Sequence, residues 1–216
     1  MSEPNYKEEY SRMIVENFEN FDINDPGVKI KIQNFCSKFG FDENEVIQKI
    51  KLDKVLRAWF IKDPSKQNVF EKTFANFLSS IKKVKNFKKL PTSGKGSVFI
   101  INQEVRIKGD ADKSITSQAK SMDFYFEYEG INVEFYVFHK YTNEAGGAQD
   151  NQRNDVTNAI DKASNPHINK KIFILFVCDG EYYVGKNWDD INAHIRDSNF
   201  KLLKSGQIEK FLETYK

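Results

Sequence analysis

From Tyr6 to Phe21 the apolar positions Tyr10, Met13, Ile14, Phe18 and Phe21 recur near the helical period, which predicts an amphipathic helix that Asp25-Pro26-Gly27 ends in a turn. Val28 to Lys38 predicts a second helix closed by Gly40. Asp42, with Glu45 three residues on, forms a capping box that starts a third at about Glu43. Pro64 closes this all-helical stretch. From Gln67 to Val84 a longer core helix carries Val69, Phe70, Phe74, Phe77, Leu78 and Ile81 on one stripe, with Glu71 beside it. At Ser97 the period changes to that of strands. Val98–Ile107, Met122–Glu129 and Ile131–Tyr141 are rich in β-branched and aromatic residues, and Gly130 marks a tight turn between the last two. Gly147–Ala163 returns to helical spacing through Val156, Ala159, Ile160 and Ala163. The run IFILFVC ending at Cys178 predicts a strand covered on both faces. After Asp179-Gly180 and a short segment to Val184, two more amphipathic pieces surround Ile191–Ile195 and Ile208–Tyr215. The expected architecture is α/β: a mixed central sheet flanked by helices in the order α, β, β, β, α, β. An N-terminal helical arm (1–64) precedes this core (65–216).

The 216 residues suffice for one well-cored domain and an appendage, and 39% hydrophobic with 30% charged residues is a folding composition. No apolar run reaches the roughly 18 residues of a membrane span. The opening MSEPNYKEEYSRM lacks the basic and apolar regions of an export signal, so a cytoplasmic protein with no membrane partner is expected. With 33 basic against 31 acidic side chains the net charge is only +2, so any nucleic-acid footprint is a local patch. The densest one runs through Lys82, Lys83, Lys85, Lys88, Lys89 and Lys95, with Gly94 and Gly96 among them, and reads as either a phosphate-contacting loop or a solvated surface. Cys36 and Cys178 sit in apolar runs without C-x-x-C spacing, which argues against a disulfide framework and a zinc knuckle.

Alternation along Met122–Glu129 puts Asp123, Tyr125 and Glu127 on one face and Met122, Phe124 and Phe126 on the other. On the next strand Glu134, Tyr136, Phe138 and Lys140 share a face, while His139 points to the oily side. A hairpin turning about Glu129-Gly130 would set Tyr125 across from Glu134 and Asp123 across from Tyr136, bringing the Asp123 and Glu134 backbones diagonally to about 7 Å. Converging carboxylates call for a cation, and Mg²⁺ takes one or two carboxylates with waters and phosphate oxygens. A register shifted by two would set Asp123 opposite Phe138, separate the acids by roughly 13 Å and break the site.

The string KSMDFYFEYEGINVEF, with a core helix and strand before it and HKYTNEAGGAQDNQ leading into a helix and buried strand after it, resembles the nuclease core of PD-(D/E)XK type II restriction endonucleases. The likeness covers about Gln67 to Cys178. It implies an Mg²⁺-dependent, homodimeric enzyme that hydrolyses phosphodiester bonds at a short specific site in double-stranded DNA, with a DNA methyltransferase as genetic partner. On the family pattern Asp123 and Glu134 hold the metal and act with a lysine. Tyr136 occupies that lysine's usual position, and Lys140 on the same face is the leading substitute. A second set follows members whose acid has moved to the next helix: Asp123 and Lys140, with Phe138 at the vacated position and Asp150 or Asp155 as the carboxylate. Tyr136 as a direct participant comes third. The polar helix start offers Gln149, Asn151, Gln152 and Arg153 to DNA, with Lys95. The arm would dimerise or recognise bases, its second and third helices having helix-turn-helix spacing. The rivals are a repair or resolvase nuclease on the same core, a DNA-binding module whose nuclease core has decayed, and a protein-interaction domain.

Overall fold

The computed structural model describes residues 3–109, 119–143 and 147–215, with the backbone alone at 147–149. The chain divides into two compact units, Asn5–Thr73 and the remainder, so the boundary falls inside a helix rather than at Pro64. Among the described residues no helix is long and apolar enough to cross a membrane.

The first unit is helical: α1 (Tyr6–Glu19), α2 (Pro26–Phe39), α3 (Glu43–Leu52), α4 (Lys54–Phe60), a 3₁₀ turn at Pro64–Gln67 and the start of α5 (Val69–Ser80). Its starts and stops are local chemistry. The Asp25 carboxylate accepts from the Gly27 and Val28 amides with Pro26 in the first turn, Gly40 (φ +71°) ends α2, and Asp42 and Asp53 cap α3 and α4. Val28, Ile32, Cys36, Val46, Ile50 and Phe60 form the buried core between α2, α3 and α4. Leu52, Val55 and Trp59 stay exposed, Trp59 at 80%.

The second unit is built on a five-stranded sheet in the order β1-β4-β5-β6-β7. Strands β1 (Val84–Lys89), β4 (Phe124–Tyr128) and β5 (Glu134–Tyr141) are antiparallel, whereas β5, β6 (Ile172–Asp179) and β7 (Phe200–Leu203) run parallel. The expected mixed sheet with flanking helices is therefore present. One face packs on Phe74 of α5 and on Phe211 and Tyr215 at α8 (Ile208–Thr214). The other buries Val156, Ala159, Ile160 and Ala163 of α6 (Gly147–Ala163), together with Ile191 of α7 (Lys186–Asn192).

Several boundaries differ from the sequence reading. Val98–Ile107 is not one strand but a separate hairpin of β2 (Val98–Ile101) and β3 (Glu104–Ile107), folded through Asn102 (φ +52°) and Gln103 (φ +66°). The lysine run is only partly a loop. Its Val84–Lys89 portion is β1, at the sheet edge, where exposed lysines block further pairing. Strand β7 is a short addition at the other edge, and α5 ends at Ser80 rather than Val84.

The register between β4 and β5 matters most. Phe124 pairs with Val137, Tyr125 with Tyr136, Phe126 with Phe135 and Glu127 with Glu134. The Ile131 amide closes on the Tyr128 carbonyl at 3.1 Å around Gly130 (φ +84°), and Asn132 and Val133 lengthen the connection before pairing resumes at Glu134. The hairpin thus turns one residue later than Glu129-Gly130 implied, and every pair shifts by two. Such a shift leaves each side chain on its own face, so the apolar pattern is blind to it. The aromatic packing is consistent with this pairing, with Phe126 stacked on Phe135 at 4.9 Å.

Candidate active site

Extended by one residue, this register sets Asp123 against Phe138. The diagonal pairing of Asp123 with Glu134 is therefore not formed: Glu134 lies four strand positions away, roughly 13 Å, at the turn end. There it is exposed, directly opposite Glu127, and accepts a hydrogen bond from the Tyr136 hydroxyl at 3.1 Å. Glu127 accepts from Tyr125 (2.7 Å) and Asn86 (2.8 Å), which holds its carboxyl below the usual range, the tyrosine contributing most. Burial pushes the Tyr125 and Tyr136 phenols well up, with Glu127 and Glu134 adding to it, so both remain donors at neutral pH. Glu127, Ile131, Asn132, Val133, Glu134 and Lys171 line an open depression of about 510 Å³.

Asp123 sits where the chain joins the ladder. Its amide donates to the Val137 carbonyl (2.8 Å), its carbonyl accepts from Leu90 (2.8 Å), and its Oδ2 accepts the His139 amide at 2.7 Å. The carboxylate thus stands in for a strand carbonyl beside Lys140. Half-buried Lys140 places Nζ 5.1 Å from the Phe138 ring centroid and pairs in register with Cys178 of β6. His139 lies on the oily face as its parity predicts. It is 7% exposed, stacked on Phe74 at 4.1 Å, with Nε2 3.4 Å from Asp179 Oδ2.

Helix α6 meets this same end of β5. Gln152 bonds the Thr142 hydroxyl, Asp150 accepts from the Tyr182 hydroxyl at 2.7 Å, and Asp155 is ion-paired with Lys120 at 3.0 Å. Lys120 is three residues before Asp123, so the pair brings Asp155 beside the segment that delivers Asp123. Arg153 donates to Asn187 (3.2 Å) and Asp190 (3.3 Å) and docks α6 on α7. Of the residues expected at DNA, Gln152 and Arg153 therefore hold the helix in place, Asn151 is exposed, and Lys95 is exposed on the Gly94–Gly96 loop. The Gln149 side chain lies outside the described residues.

The His139 amide bond to Asp123 and the Lys120 ion pair to Asp155 tie two carboxylates to segments that lead toward the carboxyl end of the parallel strands, where open α/β sheets place their ligands. Among the described residues no three acidic, histidine or cysteine side chains form a ready-made metal cage. Mg²⁺ needs only one or two carboxylates and keeps its waters, so either Asp123 or Asp155 is of the ligand type it takes. Asp179 was not anticipated. It is buried at the tip of β6 and accepts the Ser205 amide at 2.9 Å, and a lone Asp ending an apolar run carries no sequence signal beyond a turn. The chain matches no protein-family description, no curated protein and no solved structure.

Proposed function

We propose that the chain is an Mg²⁺-dependent deoxyribonuclease of the PD-(D/E)XK kind, a homodimeric type II restriction endonuclease, and that its site is Asp123, Lys140 and Asp155. The observation that carries this reading is the 2.7 Å bond from the His139 amide to Asp123, which joins the first acid to the Phe138-His139-Lys140 triplet rather than to Glu134. Leaving out the β2–β3 hairpin, the order α5, β1, β4, β5, α6, β6 is the α, β, β, β, α, β that the resemblance implies. In this reading Asp123 and Asp155 would hold Mg²⁺, Asp155 giving up its ion pair with Lys120 to do so. Bound there, the ion would acidify a water and neutralise phosphate charge. The Lys140 ammonium stabilises the charge that builds on the phosphate. Phage DNA digested with Mg²⁺ should give discrete bands. Asp123→Ala and Asp155→Ala should each abolish them with circular dichroism unchanged, and full cutting by both variants would end the proposal. Smears instead of bands would point to a repair nuclease.

Two symmetric cuts in a duplex need two copies of one site. The arm is the natural dimer surface in this reading. Its third helix opens on Asp42, Glu43 and Glu45, which repel a phosphate backbone, whereas Leu52, Val55 and Trp59 offer an apolar face. Trp59→Glu should halve the mass seen in sedimentation, and an unchanged mass would remove the arm from the interface.

A further inference from the structure

Lys204 directly follows β7, and the pairing of the parallel strands puts it in one row with Lys140. Lys140 pairs in register with Cys178 of β6, and Val177 pairs with Leu203, so one residue further on Cys178 stands beside Lys204. By alternation Lys140 shares the face of Tyr136 and Phe138, and Lys204 that of Phe200 and Leu202, the face on which Cys178 is buried. Two lysines thus flank a thiol that is 0% exposed, their backbones separated by two strand spacings, about 10 Å. Burial first and then Asp179 push the thiol up, while Lys204 and Lys140 pull it back. It keeps its proton and neutralises neither lysine.

Two like charges at one strand end call for a counter-charge. Among the described residues neither lysine is ion-paired, and both are partly open to solvent. The Lys204 ammonium donates to the Gly180 carbonyl at 3.2 Å and lies 5.2 Å from the Trp188 ring centroid and 5.9 Å from that of Tyr183. Those contacts orient it and use one of its three donors. Burial pulls its pKa down, and Asp179 leads the groups that raise it again. Asp179 itself takes the Ser205 amide and approaches His139 Nε2 on the opposite face. Glu3, which also acts on Lys204, lies exposed against Gly206. Asp150, Asp155 and Asp190 are engaged by Tyr182, Lys120 and Arg153.

We propose that Lys204 binds a phosphate oxygen of the DNA backbone, on a phosphate beside the one that Lys140 serves. The inference rests on the nuclease reading and adds a second contact to its substrate. A nucleic-acid strand presents anions at a regular repeat, which a row of cations on neighbouring β-strands suits. Such a contact positions the duplex without reading its sequence.

Affinity for a labelled duplex of mixed sequence is measured in Ca²⁺ over a series of salt concentrations. Lys204→Met keeps the apolar stem on the rings and removes the charge. Losing one phosphate contact should make the plot of log affinity against log salt shallower by about 0.9 and weaken binding about tenfold at the lowest salt. Lys204→Gln, which keeps a donor for the Gly180 carbonyl, should show the same loss, and Lys204→Arg should restore the wild-type slope. Lys201 is the control, because it is exposed on the same strand and alternation turns it to the other face. Lys201→Met should leave the slope unchanged. A wild-type slope in both Lys204→Met and Lys204→Gln overturns this inference alone. So does an equal loss in Lys201→Met, which would make the effect one of overall charge. A wild type that binds no duplex removes the nuclease reading and this inference with it.

Discussion

The two ends of the β4–β5 hairpin carry similar residues and opposite designs. At the turn end Glu127 and Glu134 face each other directly, the arrangement that most resembles a divalent-cation grip. Each is already served by a tyrosine hydroxyl, and Asn86 completes Glu127. At the other end Asp123, Lys140 and Asp155 come from three different elements and carry charges of both signs. The contrast teaches that proximity of carboxylates is a poor guide to chemistry. What differs is the setting: the acids at the turn end are bonded by neutral side-chain donors, whereas at the other end Asp123 takes a backbone amide and Asp155 a lysine.

The sharpest way to break the comparison is to disable each end in turn. Asp155→Ala should lower Mg²⁺-dependent cleavage by roughly a thousandfold, as removal of a charge-stabilising group at a reacting centre does. Glu134→Ala should leave it within about threefold. Loss of cutting in the Glu134 variant, with Asp155→Ala still active, would move the site to the turn end.

The carboxyl end also depends on an exacting backbone. Gly180→Ala places a Cβ 2.1 Å from the Thr142 carbonyl oxygen at a φ of +93° that side chains avoid, so the turn after β6 must open. A loss of about 3 kcal/mol is expected from the urea midpoint, an order set by strain at such positions. The equivalent change at Gly130, with φ +84° but nothing within 4 Å, keeps only the torsional part and should cost about 1 kcal/mol. Equal losses at the two glycines would mean that the clamp on Thr142 is not there.

Alkali should act on the turn end. The Tyr125 and Tyr136 phenols have folded-state pKa values raised above the unfolded value of about 10. Their contribution to stability is fully present below that unfolded value and is lost as pH climbs toward the folded ones. Melting temperature should therefore fall from about pH 10 upward. The slope should be shallower in Tyr125→Phe/Tyr136→Phe, because two of the protons retained only by the folded state are gone. A slope unchanged by the double variant would show that these phenols titrate freely.

Much of this was legible in the sequence. Asp25, Gly40 and Asp42 announce the helix ends through chemistry that acts within a turn, and period-two alternation assigned the faces of β4 and β5 correctly, including His139 toward Phe74. The register was not legible, because a two-residue slip conserves every face and only the length of the Glu129–Val133 connection selects between pairings. That single ambiguity separates the two candidate sets of residues. It set Glu134 apart from Asp123, and the proposed site therefore turns to the set with Asp150 or Asp155. β1 was hidden by its lysines, which look like a loop because an edge strand is solvated along much of its length.

The smallest effect probes why the turn end is tolerated. Like charges directly opposite on antiparallel strands repel, and here Tyr125, Asn86 and Tyr136 offset that repulsion rather than remove it. Glu134→Gln keeps an oxygen for the Tyr136 hydroxyl and deletes one of the two charges. It should raise the melting temperature by about 1 °C in low salt, an effect that shrinks as ions screen the pair. Acid should work on the partner in the other direction. The Glu127 carboxyl is held low, so its contribution is present above the unfolded value of about 4.3 and fades as pH falls through the folded one. Cleavage should be indifferent to Glu134→Gln. A variant destabilised at neutral pH would mean that the two carboxylates share something attractive, a proton or a cation, and the turn end would have to be read as a site after all.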